Sequence, residues 1–466
     1  MIVILISVLV LWACKVIYSM YFSPLRSIPG PLLLQVFPIY HSITLALGTN
    51  HLLLLKYHLS YGPIFRTGWD SVVCVDPTAT LEIMNNYEKA PNYSIFSYFG
   101  ENIFSTQDKQ FHAARSRLVS PSLRKGSVNA MEPLIHTFID QAAAQIGSYA
   151  KMHEAVDFFL LLHNMTYDII GRLVFGQTFG MLESGSHPIV GWMIKGLAIT
   201  LLALAVPALR FVPNIYNEKV REFIKTAIKS CDHSHTPPPI ISSYIKSVDR
   251  LTGDQLPSDA VVSEAFILLL AGTESTSNTI LWVLYHIAKH PHVRTLVEDE
   301  LRQLKADNRI SFDDYQHRLP YLQAVVKESM RLLPAVSGVG LRQIPSPGRT
   351  LLGHFLPGGT IVGVSSYALH RSPKLWGDAD QFKPERWINS KPPKRGSYIP
   401  FYIGPRACTG QHLANQIIAL TAANLLNRFQ LTLVDPLRDP NPKANPVMKP
   451  HPNNLFMSAS PWQSPN

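Results

Sequence analysis

Apolar positions along this chain fall mostly at helical spacing. Residues 1–22, MIVILISVLVLWACKVIYSMYF, form an almost unbroken apolar run; as a helix it covers about 33 Å, enough to cross the hydrocarbon layer of a bilayer. Lys15 interrupts the run and has to snorkel toward an interface. Pro24, Pro29 and Pro31 then stop the helix, so 23–33 reads as a stiff neck between an anchor and a body. PIFRTGWDSVVCV (63–75) predicts two short strands around a Gly-Trp-Asp turn. From Pro77 to about Pro320 the period is helical, most plainly over 132–150 and 157–176. The run 189–209 is nearly long enough to span, but Lys195 and Pro207 make it a core or membrane-dipping helix. HTPPP (235–239) breaks the chain before a long apolar helix from Ser258 to about Lys289, with Ser258 as its cap. In the last third LRQI, TLLGHFL and TIVGVS read as strands, followed by a Pro-rich stretch (384–400) and a closing helix over 409–428. The expected fold is mainly α with small β-sheets, in one body behind an N-terminal transmembrane helix.

Composition narrows the partners. With 46% apolar and 16% charged residues in 466, the chain can bury a large core, and no repeat, charge run or Gly/Ser linker divides it. Lys and Arg number 42 against 32 Asp and Glu, a net +10. There is no dense basic cluster with interleaved aromatics, so nucleic acid is a poor expectation; the scattered excess suits an acidic protein or an anionic membrane surface, or equally a solvated basic surface with no assigned partner. Cys14, Cys74, Cys231 and Cys408 form no CxxC pair, which argues against a zinc ribbon or a disulfide framework and fits a reducing compartment. A cleaved signal peptide competes for 1–22, but it lacks a basic start and a small-residue cleavage site before Pro24. Arg26, just past the run, favours a cytosolic body; the sequons at Asn92 and Asn164 then stay unmodified.

The chemistry concentrates in FYIGPRACTG (401–410). Each fixed position has a task if Cys408 is the thiolate ligand of a haem iron. Gly404 and Gly410 let the backbone turn tightly and approach a macrocycle, backbone N–H groups can then aim at the sulfur, Arg406 can pair with a propionate, and Phe401 shields the sulfur from water. The alternative is a Gly-rich loop holding one buried free cysteine. In AGTEST (271–276) Ala271 and Gly272 leave room on the long helix, and Ser275 can bond back to the Ala271 carbonyl. An acid, Glu274, beside the hydroxyl of Ser275 is what proton delivery into an apolar pocket requires, though helical Ser and Thr often only satisfy themselves. Glu328 and Arg331 share a helical face, and Arg386 in FKPERW (382–387) can complete a buried network that must be fully paired. Cys408 and His412 lack two further ligands for zinc. No dinucleotide fingerprint, Walker loop or HExxH is present, so reducing electrons have to come from another protein.

Taken in order, the apolar N-terminus with its Pro-Gly-Pro neck, AGTEST, ESMR, FKPERW and FYIGPRACTG resemble the cytochromes P-450, the haem-thiolate monooxygenases, and most of all the membrane-anchored fungal members of secondary metabolism. The resemblance covers nearly the whole chain. It implies the P-450 fold, with an anchor (1–22), a neck (23–33) and a monooxygenase domain (34–466). It implies heme b with Cys408 as axial ligand, Arg342 (in GLRQIP) and Arg406 on the propionates, and Glu274 with Ser275 as the acid–alcohol pair. Glu328, Arg331 and Arg386 match the family's structural triad. It also implies insertion of one oxygen atom of O2 into a hydrophobic small molecule such as a terpenoid or polyketide, with electrons from NADPH-cytochrome P-450 reductase, cytochrome b5 as an optional donor, and contact with membrane lipid at the endoplasmic reticulum, single-pass and facing the cytosol. The expected pocket linings are 94–105, Phe266 to Ala271, 335–340 and 455–458. Ser275 stands where the family usually has Thr, and Tyr402 where a small residue is common. His112 falls on the family's Trp/His, but Ser116 falls where a propionate-binding Arg is expected, so Arg115 or Arg117 takes that contact or it is lost. The segment after HTPPP is short, which puts a helix there in doubt. The rival functions are a haem-thiolate isomerase or dehydratase that needs no reductase, and a non-catalytic membrane haem-binding protein.

Overall fold

The computed structural model describes residues 2–37, 39–205, 214–232, 237–248, 255–304, 309–388 and 391–462. Five helices build its interior: Glu132–Lys151 (α1), Phe158–Phe175 (α2), Ser258–Lys289 (α3), Pro320–Leu332 (α4) and Gln411–Arg428 (α5). Helices apolar nearly all round belong in a core, and α3 accordingly runs through the middle, packed on α2, α4 and α5. By length and composition α2 and α3 could each cross a membrane, but they are mostly buried inside the protein and serve as core helices. Asp157 caps α2 by accepting from the Phe159 N–H, and α2 ends at Gly176 in the left-handed region (φ +74°).

Ser258 is not the cap of α3. Pro257 holds the N-cap position in an extended conformation with no side-chain bond, and Ser258 is the first helical residue. Proline's fixed φ starts the helix without a capping hydroxyl.

The second core lies around a five-stranded sheet of Ile64–Arg66 (β1), Ser71–Cys74 (β2), Glu88–Lys89 (β3), Val339–Gln343 (β4) and Ile361–Ser365 (β5), in the order β1-β2-β5-β4-β3. β2 and β5 are parallel and the other pairs antiparallel. The predicted Gly-Trp-Asp turn (68–70) joins β1 to β2, with the Thr67 N–H donating to the Ser71 carbonyl. The β3–β4 register sets Lys89 directly opposite Arg342, a pairing that governs the site below. TLLGHFL is a hairpin of Gly348–Leu351 with His354–Pro357. LFMS instead enters a three-stranded sheet, with Leu455 and Met457 in the helical core.

The segment read as a stiff neck is docked on the body. Ser23 caps a short turn over Pro24–Ser27, Leu25, Ile28 and Leu34 are buried, and the Arg66 N–H donates to the Pro29 carbonyl at 2.8 Å. Its prolines set the path along which it docks on the sheet. After HTPPP a single helical turn, Ser242–Ile245, stands where a helix was in doubt. His235 and Thr236 of HTPPP, and 206–209 of the run that follows Pro188, lie outside the described residues.

Candidate active site

The cysteine loop is tied at its ends: the Cys408 N–H donates to the Phe401 carbonyl and the Ala407 N–H to the Gly404 carbonyl, both at 3.0 Å. Gly404 has φ +82°, and a Cβ there would sit 2.4 Å from the Met84 carbonyl oxygen, so this glycine is required twice over. Gly410 differs from the expectation. Its φ of −87° is open to any residue, and a Cβ there would make only ordinary contact with Cys408 Sγ, at 4.0 Å. Tyr402 also takes a left-handed φ (+54°), and its ring lies where a side chain at Gly340 would be. Phe401 is half-buried against the helical core. Cys408 keeps accessible surface, so its thiol is open to a ligand. Burial pushes the thiol's pKa up, and the Gly410 N–H, aimed at the sulfur, opposes that. A metal on this sulfur would deprotonate it outright.

Four basic side chains converge beside the loop. Lys89, opposite Arg342, is pushed far below the ordinary lysine value by burial, then by Arg342 and Arg406. Arg406 is lowered by burial and by Arg342, against Glu88, Asp108 and Glu101. His112 is held at about 4 by burial, Arg406 and Lys89. Arg342 Nε is buried with no hydrogen-bond partner among the described residues. Like charges opposite one another in a ladder are destabilising, and a buried charge is tolerated only when paired. The two carboxylates of a haem meet that requirement, so the residues fit the group. Lys89 was not legible in the sequence, because a two-residue strand has no alternation to read.

Neither expected substitute for the missing arginine joins the cluster. Arg115 is buried with Nε 3.4 Å from Glu264 Oε1, and Arg117 is exposed. One helical residue is a 100° rotation, which carries Arg115 to α3.

In the middle of α3, Leu270, Ala271, Glu274 and Ser275 are partly or fully accessible, in a helix most of whose residues are buried. Ser275 Oγ donates to the Ala271 carbonyl at 2.7 Å, as expected. Gly272 does not make room for a ligand: a Cβ there would meet Ile170 Cδ1 at 3.0 Å, so it serves the close packing of α2 on α3. Glu274 turns toward α2, with Oε2 3.6 Å from His163 Nε2. Burial pushes its carboxyl up, but His163, Lys449 and Tyr167 outweigh burial and hold it below the usual value.

Glu328 and Arg331 are wholly buried. Glu328 accepts from Arg331 Nε, Arg386 Nε, the Lys383 N–H and Trp387 Nε1, each at 2.9 Å. Arg331 also donates to the carbonyls of His370, Ala379 and Gln381, and Arg386 to those of Trp376 and Asp378. The network is fully paired, as its burial demands.

Against known proteins, the family model described as Cytochrome P450 matches residues 29–457. The chain belongs to the cytochrome P450 family. Similar relatives include the cytochrome P450 monooxygenase LUC2 of Fusarium sp (28% identity over 436 residues, 89% of this chain and 84% of the relative) and tazI of Aspergillus terreus (29% over 456 residues, 92% and 91%). A crystal structure of a cytochrome P450 superposes with a TM-score of 0.79 at 21% identity, covering 93% of this chain and 99% of that one, which supports the shared fold. The P450 is an oxidoreductase of the haem-thiolate monooxygenase class; its cofactor is haem bound through a cysteine thiolate, and it works with a redox partner on a hydrophobic substrate.

Proposed function

We propose that Cys408 is the axial ligand and that Arg342, Arg406, Lys89 and His112 receive the propionates, in a monooxygenase of fungal secondary metabolism. The observation that carries this is the convergence of four basic side chains beside a loop whose thiol keeps accessible surface. Haem, when bound, supplies the dioxygen chemistry. Phe401, Gly404 and Gly410 shape the loop that presents the sulfur, and the Gly410 N–H tempers its charge. Glu328, Arg331 and Arg386 brace that loop from behind. Ser275 and Glu274 move protons into the site. In this structure the Ser275 hydroxyl rests on Ala271 and Glu274 rests as a carboxylate on His163, so delivery requires Glu274 to turn from α2 toward Ser275.

The rings of Tyr98, Phe99 and Phe266 pack edge-on at 5.1 to 5.3 Å, an apolar wall suited to a terpenoid or polyketide. Outside the cysteine loop a hollow of about 460 Å³ is bordered by Lys394 and Arg395; their charge suits an acidic partner such as NADPH-cytochrome P450 reductase or cytochrome b5. The helix Ile2–Ile17 and the turn Tyr18–Phe22 leave apolar side chains uncovered, Leu11 at 70% and Phe22 at 69% exposure. That surface fits membrane lipid, with the chain as a single-pass protein of the endoplasmic reticulum and its body in the cytosol.

The test is turnover under 18O2 with NADPH and reductase, against extracts of terpenoids and polyketides. The expected product gains one labelled oxygen atom. A product formed without NADPH and without label would identify a reductase-independent isomerase or dehydratase.

A further inference from the structure

Glu264 lies wholly inside the protein, on the same face of α3 as the site. Positions 264, 268, 271 and 275 recur at helical spacing, so the stripe bearing Ala271 and Ser275 bears Glu264 about 10 Å nearer the helix start. There the segment 97–106 is joined to the helix. The Ile103 N–H donates to both Glu264 oxygens, at 3.1 and 3.3 Å. Arg115 Nε is 3.4 Å from Oε1. Ser263 donates to the Gly100 carbonyl at 2.7 Å and accepts from Asn102 Nδ2 at 3.2 Å. The far end of the segment rests on the basic cluster: Lys89 donates to the Phe104 carbonyl at 2.5 Å and Arg406 to the Thr106 carbonyl at 3.1 Å.

A buried ion pair is a weak source of stability, and apolar residues of equal volume would fill the space as well. What this polar set adds is register. It fixes an irregular stretch of backbone, residue by residue, against a rigid helix. The same stretch carries Tyr98 and Phe99 onto Phe266. We propose that Glu264 is a positioning residue for the substrate, clamping the wall segment Gly100–Ile103 to α3 and so fixing the width of the pocket beside Ala271. The inference rests on the haem-thiolate reading.

Two measurements on the holoenzyme test it: hydrogen–deuterium exchange, and spectral titration with imidazole and the bulkier 4-phenylimidazole, which both ligate haem iron. Glu264→Gln keeps volume and removes charge. Ser263→Ala leaves the Arg115–Glu264 pair intact and decides the matter if the first variant does not fold. Both variants should keep the wild-type carbon monoxide spectrum. Exchange over 100–105 should quicken by about tenfold, the loss of one charge-assisted hydrogen bond. The affinity ratio of the two azoles should shift toward the bulkier one by about fivefold or more. Unchanged exchange, or faster exchange with an unchanged ratio, overturns the clamp. A wild type without thiolate-ligated haem overturns the underlying reading instead, and the exchange result still decides whether the segment is clamped.

Discussion

At Ser275 a single hydroxyl is bonded to the Ala271 carbonyl, beside Glu274, whose carboxylate rests on His163. Positioned proton donors contribute about 10²- to 10⁴-fold to rate. Ser275→Ala should therefore lower product formed per NADPH by about tenfold or more and raise hydrogen peroxide release in step; equal coupling in the two proteins would remove Ser275 from the proton path. Residues of this kind were legible because their neighbours in sequence are their partners in space. Cys408 lies between Arg406 and Gly410, and Ser275 bonds back one turn. Lys89, His163 and Glu264 act through partners far along the chain, namely Arg342, Glu274 and Ile103, and no local spacing announces such pairs. Gly272 shows the opposite error. Its lack of a side chain reads as room for a ligand, but what it admits is Ile170 of the neighbouring helix.

Helix α4 and the turn Pro384–Trp387 are joined through one carboxylate, which makes Glu328 the most exacting joint between elements. Removing one partner of a buried ionic set costs roughly 3–5 kcal/mol. Glu328→Gln should thus lower the melting temperature sharply and shed haem, and a variant as stable as wild type would make the network dispensable. Its pH dependence has a definite sign. Burial raises the Glu328 carboxyl, but Arg331, the Lys383 N–H and Arg386 outweigh that and leave its folded pKa below the ordinary 4.5. The stabilisation is complete above about 4.5, the unfolded value, and is lost as pH falls through the depressed folded value. The stability gap between wild type and Glu328→Gln should therefore close in acid. Long helices at this scale were readable from periodicity, and the strands around Gly-Trp-Asp from their turn chemistry. The long helix α3 starts at Ser258 as its pattern indicates, but its cap was not legible, because proline geometry rather than a hydroxyl sets it, and the neck's docking depends on Arg66 and buried Leu34.

For the whole molecule, two cores meet where the site lies, one helical around α3 and one around the five-stranded sheet. The long helix brings Ser275 and the β3–β4 pair brings Lys89 and Arg342, so the site exists only when both cores are formed. Apolar side chains at the N-terminus stay outside both. Whether Cys408 ligates haem iron is decided by the reduced, carbon monoxide-bound minus reduced spectrum of the membrane pellet from cells expressing the full chain, beside the Cys408→Ala variant. A strongly red-shifted Soret band in the pellet, the mark of thiolate-ligated haem, is expected, with its loss in Cys408→Ala. A Soret band at the position of a neutral-ligand haem in the wild type, or the same red-shifted band in Cys408→Ala, would contradict thiolate ligation by Cys408.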